Sequence, residues 1–253
     1  MARTDFRTPR LCVSEDLATS AEIKLDAQRT NYLVNVLRLG AGARVLLFNG
    51  RDGEFASSLA ANSRKGAALA VGAPTRPQEA PPDVEYLFAP LKHARLDYMA
   101  QKAVEMGARA LRPVLTRHTQ VARVNLDRLR SNAIEACEQC GVIWIPEIAP
   151  AEPLGEALRR QPADRLLVFC DEEADEINPL DALAEARAEN GVSLLIGPEG
   201  GFADDERALI LSLPRVVRLS LGPRILRADT AAVAALALIQ ATVGDWPKRR
   251  SRP

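Results

Sequence analysis

The feature that most limits the possible folds of this sequence is an alternation of strand-like and helix-like segments after Pro82. Short apolar runs have the composition of strands: VEYLFAP, ALRPVL, RLLVFCDE, VSLLIG and VVRLSLG. Helical patterns lie between them, and two of these end at Gly107 and Gly141, since glycine commonly stops a helix. Strands that alternate with helices in this way form a parallel sheet covered on both faces. The sequence therefore predicts an α/β domain over residues 83–253.

The residues before this domain follow a different pattern. The stretch RVLLFNGRDGEFASSLAANSRKGAALAVG alternates β-type runs with turn signals at Asn49-Gly50, Asp52-Gly53 and Lys65-Gly66. One short helix is expected around Asn31 to Leu37, where apolar residues recur at helical spacing. Residues 1–73 are therefore predicted to form a small β-barrel-like domain.

A proline-rich segment, PTRPQEAPP, is predicted to be a linker over residues 74–82. Apolar residues make up 47% of the 253-residue chain, enough for a folded core. The sequence has no long uncharged apolar run and no apolar signal segment near its start. We therefore expect a cytoplasmic protein without a membrane partner. Its 33 basic and 33 acidic residues balance, so the net charge gives no case for a nucleic-acid partner.

A C-x-x-C pair at Cys137 and Cys140 raises the question of a metal site. A structural zinc site usually has four ligands, and no second ligand pair is evident beside the two histidines, His93 and His118. The pair lies on a helical pattern, EACEQCG. Two reduced cysteines on a cytosolic helix are the preferred interpretation, with a redox pair as the alternative. No metal is predicted.

Two glycine motifs follow predicted strands, LLIGPEGG and LSLGPRILRADT. In open α/β sheets, ligands bind beyond the carboxyl ends of the strands. Each motif contains Gly-Pro, at Gly197-Pro198 and Gly222-Pro223, which favours a stiff loop that approaches a ligand closely. Neither a P-loop lysine nor a G-x-G-x-x-G pattern is present. A flat ring such as adenine suits these walls, with Glu199 facing an amine or a ribose; ordinary turn chemistry is the alternative.

The last predicted helix, DTAAVAALALIQAT, has no polar face from Ala231 to Ile239. A helix that is apolar all round is buried on every side. Two readings remain open, an interior helix and a helix covered by a partner subunit.

At the two glycine motifs, the sequence resembles the bacterial small-subunit ribosomal RNA uridine N3-methyltransferases, the RsmE family of the SPOUT superfamily. The pair LLIGPEGGFADDE and LSLGPRILRADTAAVAAL carries the resemblance most specifically. NYLVNVLRLGAGARVLLFNGRDGEF is similar to that family's N-terminal PUA-like barrel, and LDYMAQKAVEMGARALRPVLTRHTQV and EACEQCG to its catalytic domain. The resemblance implies an α/β fold with a PUA-like β-barrel before a SPOUT domain, a parallel sheet and a C-terminal trefoil knot. It also implies S-adenosyl-L-methionine as cofactor, 16S ribosomal RNA or the small ribosomal subunit as partner, and a homodimer.

The resemblance transfers binding roles to particular positions. The expected cofactor contacts come from three strand ends and are Phe169, Cys170, Leu195, Gly197, Glu199, Gly200, Gly201, Leu219, Leu221, Gly222 and Leu226. Basic positions expected to meet RNA phosphates are Arg7, Arg10 and Arg38. Each of these arginines has solvated surface as its alternative role.

Methylation at N3 needs a uracil that has lost its imide proton. Arg224 is the first candidate and Arg227 the second to stabilise the resulting negative charge, with phosphate binding as the alternative for both. Glu199 and Asp229 are the candidate bases, although Glu199 is better suited to the cofactor or to a helix terminus. The target base must be unpaired or flipped out of its helix.

Some positions depart from the family pattern. Asp229 stands where Glu is frequent, Val142 stands where Arg often follows the EQCG motif, and LKHARLD lacks the usual glycine. Two other functions therefore stay open: a knotted RNA-binding protein without activity, and a SPOUT methyltransferase with another RNA target.

Overall fold

The structure is a computed structural model that describes residues 5, 7–60, 66–121, 123–174 and 178–246. It divides into two compact units. The first extends to Ala80 and includes Ile134–Ile145, and the second comprises Pro81–Ala133 and the residues from Pro146 onward.

The first unit is built on a five-stranded sheet. Its strands are β1 (Arg10–Cys12), β2 (Glu22–Lys24), β3 (Arg44–Phe48), β4 (Glu54–Leu59) and β5 (Ala68–Arg76), in the order β1-β3-β4-β5-β2. The β1–β3 pair is parallel and the others are antiparallel. The small β-barrel-like unit expected from the sequence is thus present as a five-stranded sheet with β1 and β2 at its two ends.

A short helical segment packs on this sheet. Helix α1 (Ala27–Thr30) continues into a π-helical turn, Asn31–Val36, that buries Leu33 completely. The helix expected around Asn31 to Leu37 is present but begins earlier, because the Asp26 side chain accepts a hydrogen bond from the Arg29 amide and caps the first turn.

The boundary between the units differs from the expected linker. Strand β5 runs past Pro74 to Arg76, because the β4–β5 pairing is irregular around Phe55 and tolerates a residue without an amide hydrogen. Residues 134–145 also belong to the first unit rather than to the predicted α/β domain. Arg76 Nη1 donates a hydrogen bond to the Gly141 carbonyl at 3.0 Å. The two residues are 65 positions apart, so no local sequence pattern predicts this contact.

Glu138, on the segment that joins the first unit, has an unusual environment. Its Oε1 accepts a hydrogen bond from the Cys12 amide at 2.8 Å. Burial disfavours the charged form and raises the pKa of the Glu138 carboxyl from 4.5 to about 7. The folded state therefore binds more protons than the unfolded state between these two values.

We expect the free energy of unfolding to fall as the pH rises from about 4.5 through about 7, because Glu138 must then ionise inside the fold. Glu138→Gln would flatten this fall. Urea unfolding across that pH range measures it, with Asp127→Asn, a 96% exposed position on the same helix, as the control. An unchanged pH profile in Glu138→Gln would contradict the prediction.

The second unit contains a parallel sheet, as predicted. Its strands have the order β12-β10-β11-β6-β7-β8, and β9 pairs with β7. All of these pairs are parallel. The strand bounds are β6 Val84–Phe88, β7 Ala110–Leu115, β8 Glu147–Ile148, β9 Glu152–Pro153, β10 Leu166–Cys170, β11 Val192–Ile196 and β12 Val216–Leu219.

Helices cover this sheet, and every residue of the central strand β11 is buried. The helices of this unit are α2 (His93–Glu105), α4 (Leu154–Arg160), α5 (Pro179–Ala186), α6 (Asp204–Leu211) and α7 (Ala228–Thr242). Helix α3 (Leu126–Cys140) begins in this unit, and its residues from Ile134 onward belong to the first. In the described ranges, no helix combines the length and apolar character needed to cross a membrane. The strand order places β10, β11 and β12 side by side, so their carboxyl ends meet at one edge.

Helix α7 packs against α2, α5 and β11 through one side. Ala235, Leu236 and Ile239 on that side are fully buried. The opposite face, which includes Val233 and Leu238, is only partly buried and is apolar. One of the two readings from the sequence was a helix buried on every side. In the single chain, α7 is not such a helix, because this face remains partly exposed.

Candidate functional site

A cavity of about 430 Å³ opens at the carboxyl ends of β10, β11 and β12. Three segments form its walls: residues 170–174 at the end of β10, 197–202 after β11 and 220–226 after β12. Ala228 and Ala231 of α7 complete the lining. Because the three strands are parallel neighbours, their loops converge on the same space.

The loop after β11 is tightly closed around Phe202. A Cβ on Gly197 would lie 2.4 Å from Phe202 Cε2, so only glycine fits there without displacing the ring. Phe202 packs edge to face on Phe169, with the ring centres 5.3 Å apart, and both rings line the cavity. This apolar wall is held in place by close packing.

The loop after β12 is open to solvent at its tip. Gly222 has φ +91°, a left-handed conformation that favours glycine, and no atom lies within 4 Å of the position of its absent Cβ. Ile225 is 99% exposed, and Arg224 beside it is also exposed. The loop therefore presents a charged and an apolar side chain at the mouth of the cavity.

Asp171 connects the elements that surround the cavity through hydrogen bonds. Its side chain is 4% exposed, and its Oδ2 accepts hydrogen bonds from Arg207 Nη2 and Arg218 Nε, each at 2.7 Å. Arg207 also pairs with Glu173. One buried carboxylate thus links the β10 end, helix α6 and strand β12. The sequence analysis missed this residue, although its place directly after a buried strand was a usable signal.

Arg95 is a second residue that the sequence analysis missed. It lies on α2, the helix that follows β6, and it forms an ion pair with Glu199 of the first glycine loop. Its Nε also lies 3.9 Å from Asp229 Oδ2 in the first turn of α7. Arg95 therefore holds together two segments that flank the cavity.

Comparison with known families identifies the chain's class. A family model described as the RNA methyltransferase domain matches residues 78–240, and one described as the RNA methyltransferase PUA domain matches residues 25–71. The chain belongs to the RNA methyltransferase family. The first match covers the parallel sheet and the cavity, and the second lies within the β-rich unit.

Individual relatives agree with this assignment. Ribosomal RNA small subunit methyltransferase E of Rickettsia conorii is 28% identical over 232 residues, 91% of this chain and 94% of the relative. The protein of the same name from Bacillus subtilis is 27% identical over 237 residues, 89% and 92% of the two chains. The resemblance stated from the sequence is thus confirmed.

Solved structures of similar proteins extend the comparison to the fold. A ribosomal RNA small subunit methyltransferase E from Neisseria gonorrhoeae, bound to S-adenosyl methionine, has a TM-score of 0.81 at 25% identity, covering 95% of this chain and 100% of that one. A Legionella pneumophila protein in complex with the bound cofactor SAM has a TM-score of 0.79 at 27% identity, covering 93% and 98%.

In this RNA methyltransferase, most of the predicted cofactor residues lie around the cavity. Those in its lining are Phe169, Cys170, Gly197, Glu199, Gly201, Leu219, Leu221, Gly222 and Leu226. Leu195 is not among them, because its side chain points into the core and is fully buried there with Leu87 and Phe169. Gly200 is also outside the lining and faces His118 instead.

The predicted catalytic residues divide in the same way. Glu199 and Arg224 line the cavity. Arg227 is the N-cap residue of α7 and lies outside the lining, as does Asp229 in the first turn. Asp229 is held near Arg95 rather than turned into the cavity.

The predicted RNA-binding arginines differ in exposure. Arg7 and Arg38 are exposed, and Arg38 has a left-handed φ of +56°. Arg10 is different, because its side chain is 2% exposed and its Nε donates to Glu54 Oε2 at 2.9 Å. A guanidinium that is buried and already paired has no free surface for a phosphate. The structure therefore corrects the prediction for Arg10, which is a core residue of the first unit.

The cysteines do not form a metal centre in the described ranges, where no group of three or more His, Cys, Asp or Glu side chains is placed to bind an ion. None of the four cysteines forms a disulfide bond. Burial raises the pKa of Cys12 to about 11 and that of Cys170 to about 12, and it also raises the pKa of Cys137. Thiols held protonated in this way are poor nucleophiles and poor metal ligands.

Proposed function

We propose that this chain transfers a methyl group from S-adenosylmethionine to N3 of a specific uridine in small-subunit (16S) ribosomal RNA. The observation that carries the proposal is the cavity built by three glycine-bearing or acidic loops at adjacent parallel strand ends. Relatives that match 91% and 89% of the chain are named ribosomal RNA small subunit methyltransferase E, which supports the RNA class.

The residues around the cavity suit this cofactor. Phe169, Ile196 and Leu219 offer apolar surface for an adenine ring. Glu172 and Glu199 offer carboxylates to ribose hydroxyls and to an amine. Gly222, with no atom within 4 Å of the position of its absent Cβ, lets the backbone approach a ligand closely. The cofactor supplies a methyl group on a positively charged sulfonium.

Arg224 is our candidate for stabilising negative charge on the uracil, because it is exposed at the cavity mouth. Glu199 is engaged by Arg95, which suits a positioning or cofactor-binding role better than proton transfer. Arg227 and Asp229 flank the start of α7, where we propose that they shape the second glycine loop rather than act on the base.

We further propose a cytoplasmic homodimer whose α7 helices contribute to the interface. The support is the partly buried apolar face of α7 with Val233 and Leu238, together with the 99% exposure of Ile225 in the neighbouring loop. The trefoil knot implied by the resemblance is part of the same proposal, with the two glycine loops as its crossing segments.

RNA docking is proposed for the first unit through Arg7 and Arg38, which are both exposed. Arg7→Ala is expected to weaken RNA binding and to lower the slope of log K against log salt by about 0.7–0.9, because one fewer phosphate is neutralised. Filter binding or fluorescence anisotropy at several salt concentrations measures the slope. Arg159→Ala, an exposed and paired arginine on α4, is the control. A slope equal to that of the unaltered protein would remove Arg7 from the RNA-binding surface.

Nucleoside analysis tests the reaction itself. Small-subunit RNA from a strain that lacks this gene is incubated with the purified protein and S-adenosylmethionine carrying a labelled methyl group. The proposal expects label in N3-methyluridine at one position. Label in a ribose 2′-O-methyl group or in transfer RNA would replace the proposal with another methyltransferase target, and cofactor binding without any transfer would overturn it.

A further inference from the structure

A second, smaller pocket of about 170 Å³ lies next to the cofactor cavity and shares Pro198 and Glu199 with it. It is far larger than the roughly 30 Å³ that one water molecule occupies in the liquid. The remaining lining residues come from the β6–α2 connection and from the segment after β7; they are Pro90, Leu91, Lys92, Arg95, His118, Gln120 and Val121. None of these was assigned a role by the sequence analysis.

The chemistry of the lining suits a flat, electron-rich ring. Leu91, Val121 and Pro198 provide apolar surface on which a ring can lie. Lys92 and Arg95 provide positive charge, and Arg95 is kept in one orientation by its ion pair with Glu199. When uracil loses its N3 proton, the negative charge spreads onto its two carbonyl oxygens. A guanidinium can donate hydrogen bonds to such oxygens and stabilise the charge.

His118 adds a group that can accept a proton. Its Nδ1 lies 2.9 Å from the carbonyl oxygen of Gly200 and 3.2 Å from that of Gly201. Carbonyl oxygens only accept hydrogen bonds, so Nδ1 must carry the hydrogen and donate. The neutral ring then has its lone pair on Nε2. The turn that carries His118 is fixed by hydrogen bonds between Thr116 and Thr119.

We propose that this side pocket holds the target uracil, with Arg95 rather than Arg224 at the uracil carbonyl oxygens and His118 Nε2 accepting the N3 proton. This inference rests on the proposed function. The N3–H bond breaks and its proton moves to His118, while the electron pair left on N3 forms the new bond to the methyl carbon. The methyl–sulfur bond breaks, and sulfur keeps its electron pair. His118 then returns the proton to water, to which its side chain is open.

The position of the pocket explains why Glu199 lies in both linings. The acceptor nitrogen must come within about 3–3.5 Å of the methyl group for transfer, so the base and cofactor sites must share a wall. Pro198 and Glu199 form that wall.

Several charged groups lie near His118. Lys92 and Arg95 at the start of α2 and Glu199 in the first glycine loop line the same pocket. The neighbouring Arg117 is paired with Asp205, and its amide donates a hydrogen bond to Glu206.

A spectroscopic test uses the fact that the chain has only two histidines, His93 and His118. The imidazole nitrogens are observed by NMR with S-adenosylhomocysteine bound, and His118→Gln assigns the signals. A short RNA that the unaltered protein methylates is then added. We expect the His118 nitrogens to shift, and the same RNA with cytidine at the target to shift them much less. Equal shifts with both RNAs, or no shift with the uridine RNA, would overturn the proposal.

Kinetics give a second readout. His118→Gln is expected to lower kcat about 100-fold or more, with S-adenosylmethionine affinity unchanged by calorimetry. Its activity should recover as the pH rises, because uridine then ionises without a base. Arg95→Lys keeps the charge but loses the planar fork, and we expect an intermediate loss of kcat. Arg130→Ala on α3, an exposed arginine, is the matched control and should keep full activity.

The outcomes separate this inference from the proposed function. Normal N3 methylation by His118→Gln across the pH range would overturn the inference and leave the proposed function intact. Failure of the unaltered protein to methylate any uridine at N3 would overturn the proposed function, and the inference with it. Loss of S-adenosylmethionine binding in His118→Gln would also contradict the inference, since it would place His118 in the cofactor site.

Discussion

Gly197→Ala is expected to weaken S-adenosylmethionine binding by at least about tenfold while the protein stays folded. The added methyl group would lie 2.4 Å from Phe202 Cε2 and 2.9 Å from Cζ, closer than real contacts allow. The ring must therefore move, and it lines the cofactor cavity while packing on Phe169. Overpacking of this kind costs about 1–3 kcal/mol. Part of this cost lowers the free energy of unfolding, and part weakens cofactor binding because the cavity changes shape.

Isothermal titration with S-adenosylmethionine, together with thermal unfolding, measures both parts of this cost. Gly40→Ala is the matched control, because no atom lies within 4 Å of the added methyl group and the backbone is not left-handed there. A second variant, Gly197→Ala with Phe202→Leu, gives the methyl group room and is expected to recover part of the affinity. Wild-type affinity in a folded Gly197→Ala protein would mean that the cofactor binds elsewhere.

The sequence was most informative where local pattern and fold coincide. The apolar runs at Val84–Phe88 and Val192–Ile196 are buried on both faces, so composition alone marked them as strands of a parallel sheet. The glycine motifs follow such strands directly, and parallel strands end at the same edge, so the cavity could be placed before its geometry was known. Short elements were harder, and the brief strands β8 and β9 and helix α4 were not predicted.

The residues that brace the site depend on contacts between distant parts of the chain. Asp171 meets Arg207 and Arg218, partners 36 and 47 positions away, and Arg95 meets Glu199 at a separation of 104. Periodicity describes which face of an element is apolar, but it does not say which charged side chains meet across elements. With 28 arginines in the sequence, charge type alone cannot select these pairs.

Arg10 is a residue whose role was predicted wrongly because its partner is also distant in the sequence. A basic residue near the start of a chain, in a unit expected to bind RNA, was assigned to phosphate contact. Its true partner, Glu54, is 44 positions away and is itself almost fully buried. Only the fold reveals that this arginine neutralises a carboxylate in the interior.

Arg10→Ala is accordingly expected to lower the free energy of unfolding by about 3–5 kcal/mol, because Glu54 would remain buried without its principal partner. Glu54 Oε1 would keep its hydrogen bond from Thr75 Oγ1 at 2.8 Å, and Arg76 Nη1 lies 3.9 Å from Oε2, too far to replace the Arg10 guanidinium fully. The Asp5 carbonyl would also lose its hydrogen bond from Arg10 Nη2. Chemical denaturation of the full chain measures the decrease.

Arg10→Met combined with Glu54→Leu separates a buried-charge effect from simple loss of packing. Replacing both members of a buried ion pair by apolar residues of similar volume is often neutral or stabilising, so the double variant should regain much of the stability that Arg10→Ala loses. At temperatures where Arg10→Ala is still folded, its salt dependence of RNA binding should equal that of the unaltered protein, in contrast to Arg7→Ala. A stable Arg10→Ala protein with a reduced salt slope would reverse this assignment, because it would show that the guanidinium is available to RNA and that Glu54 does not need it.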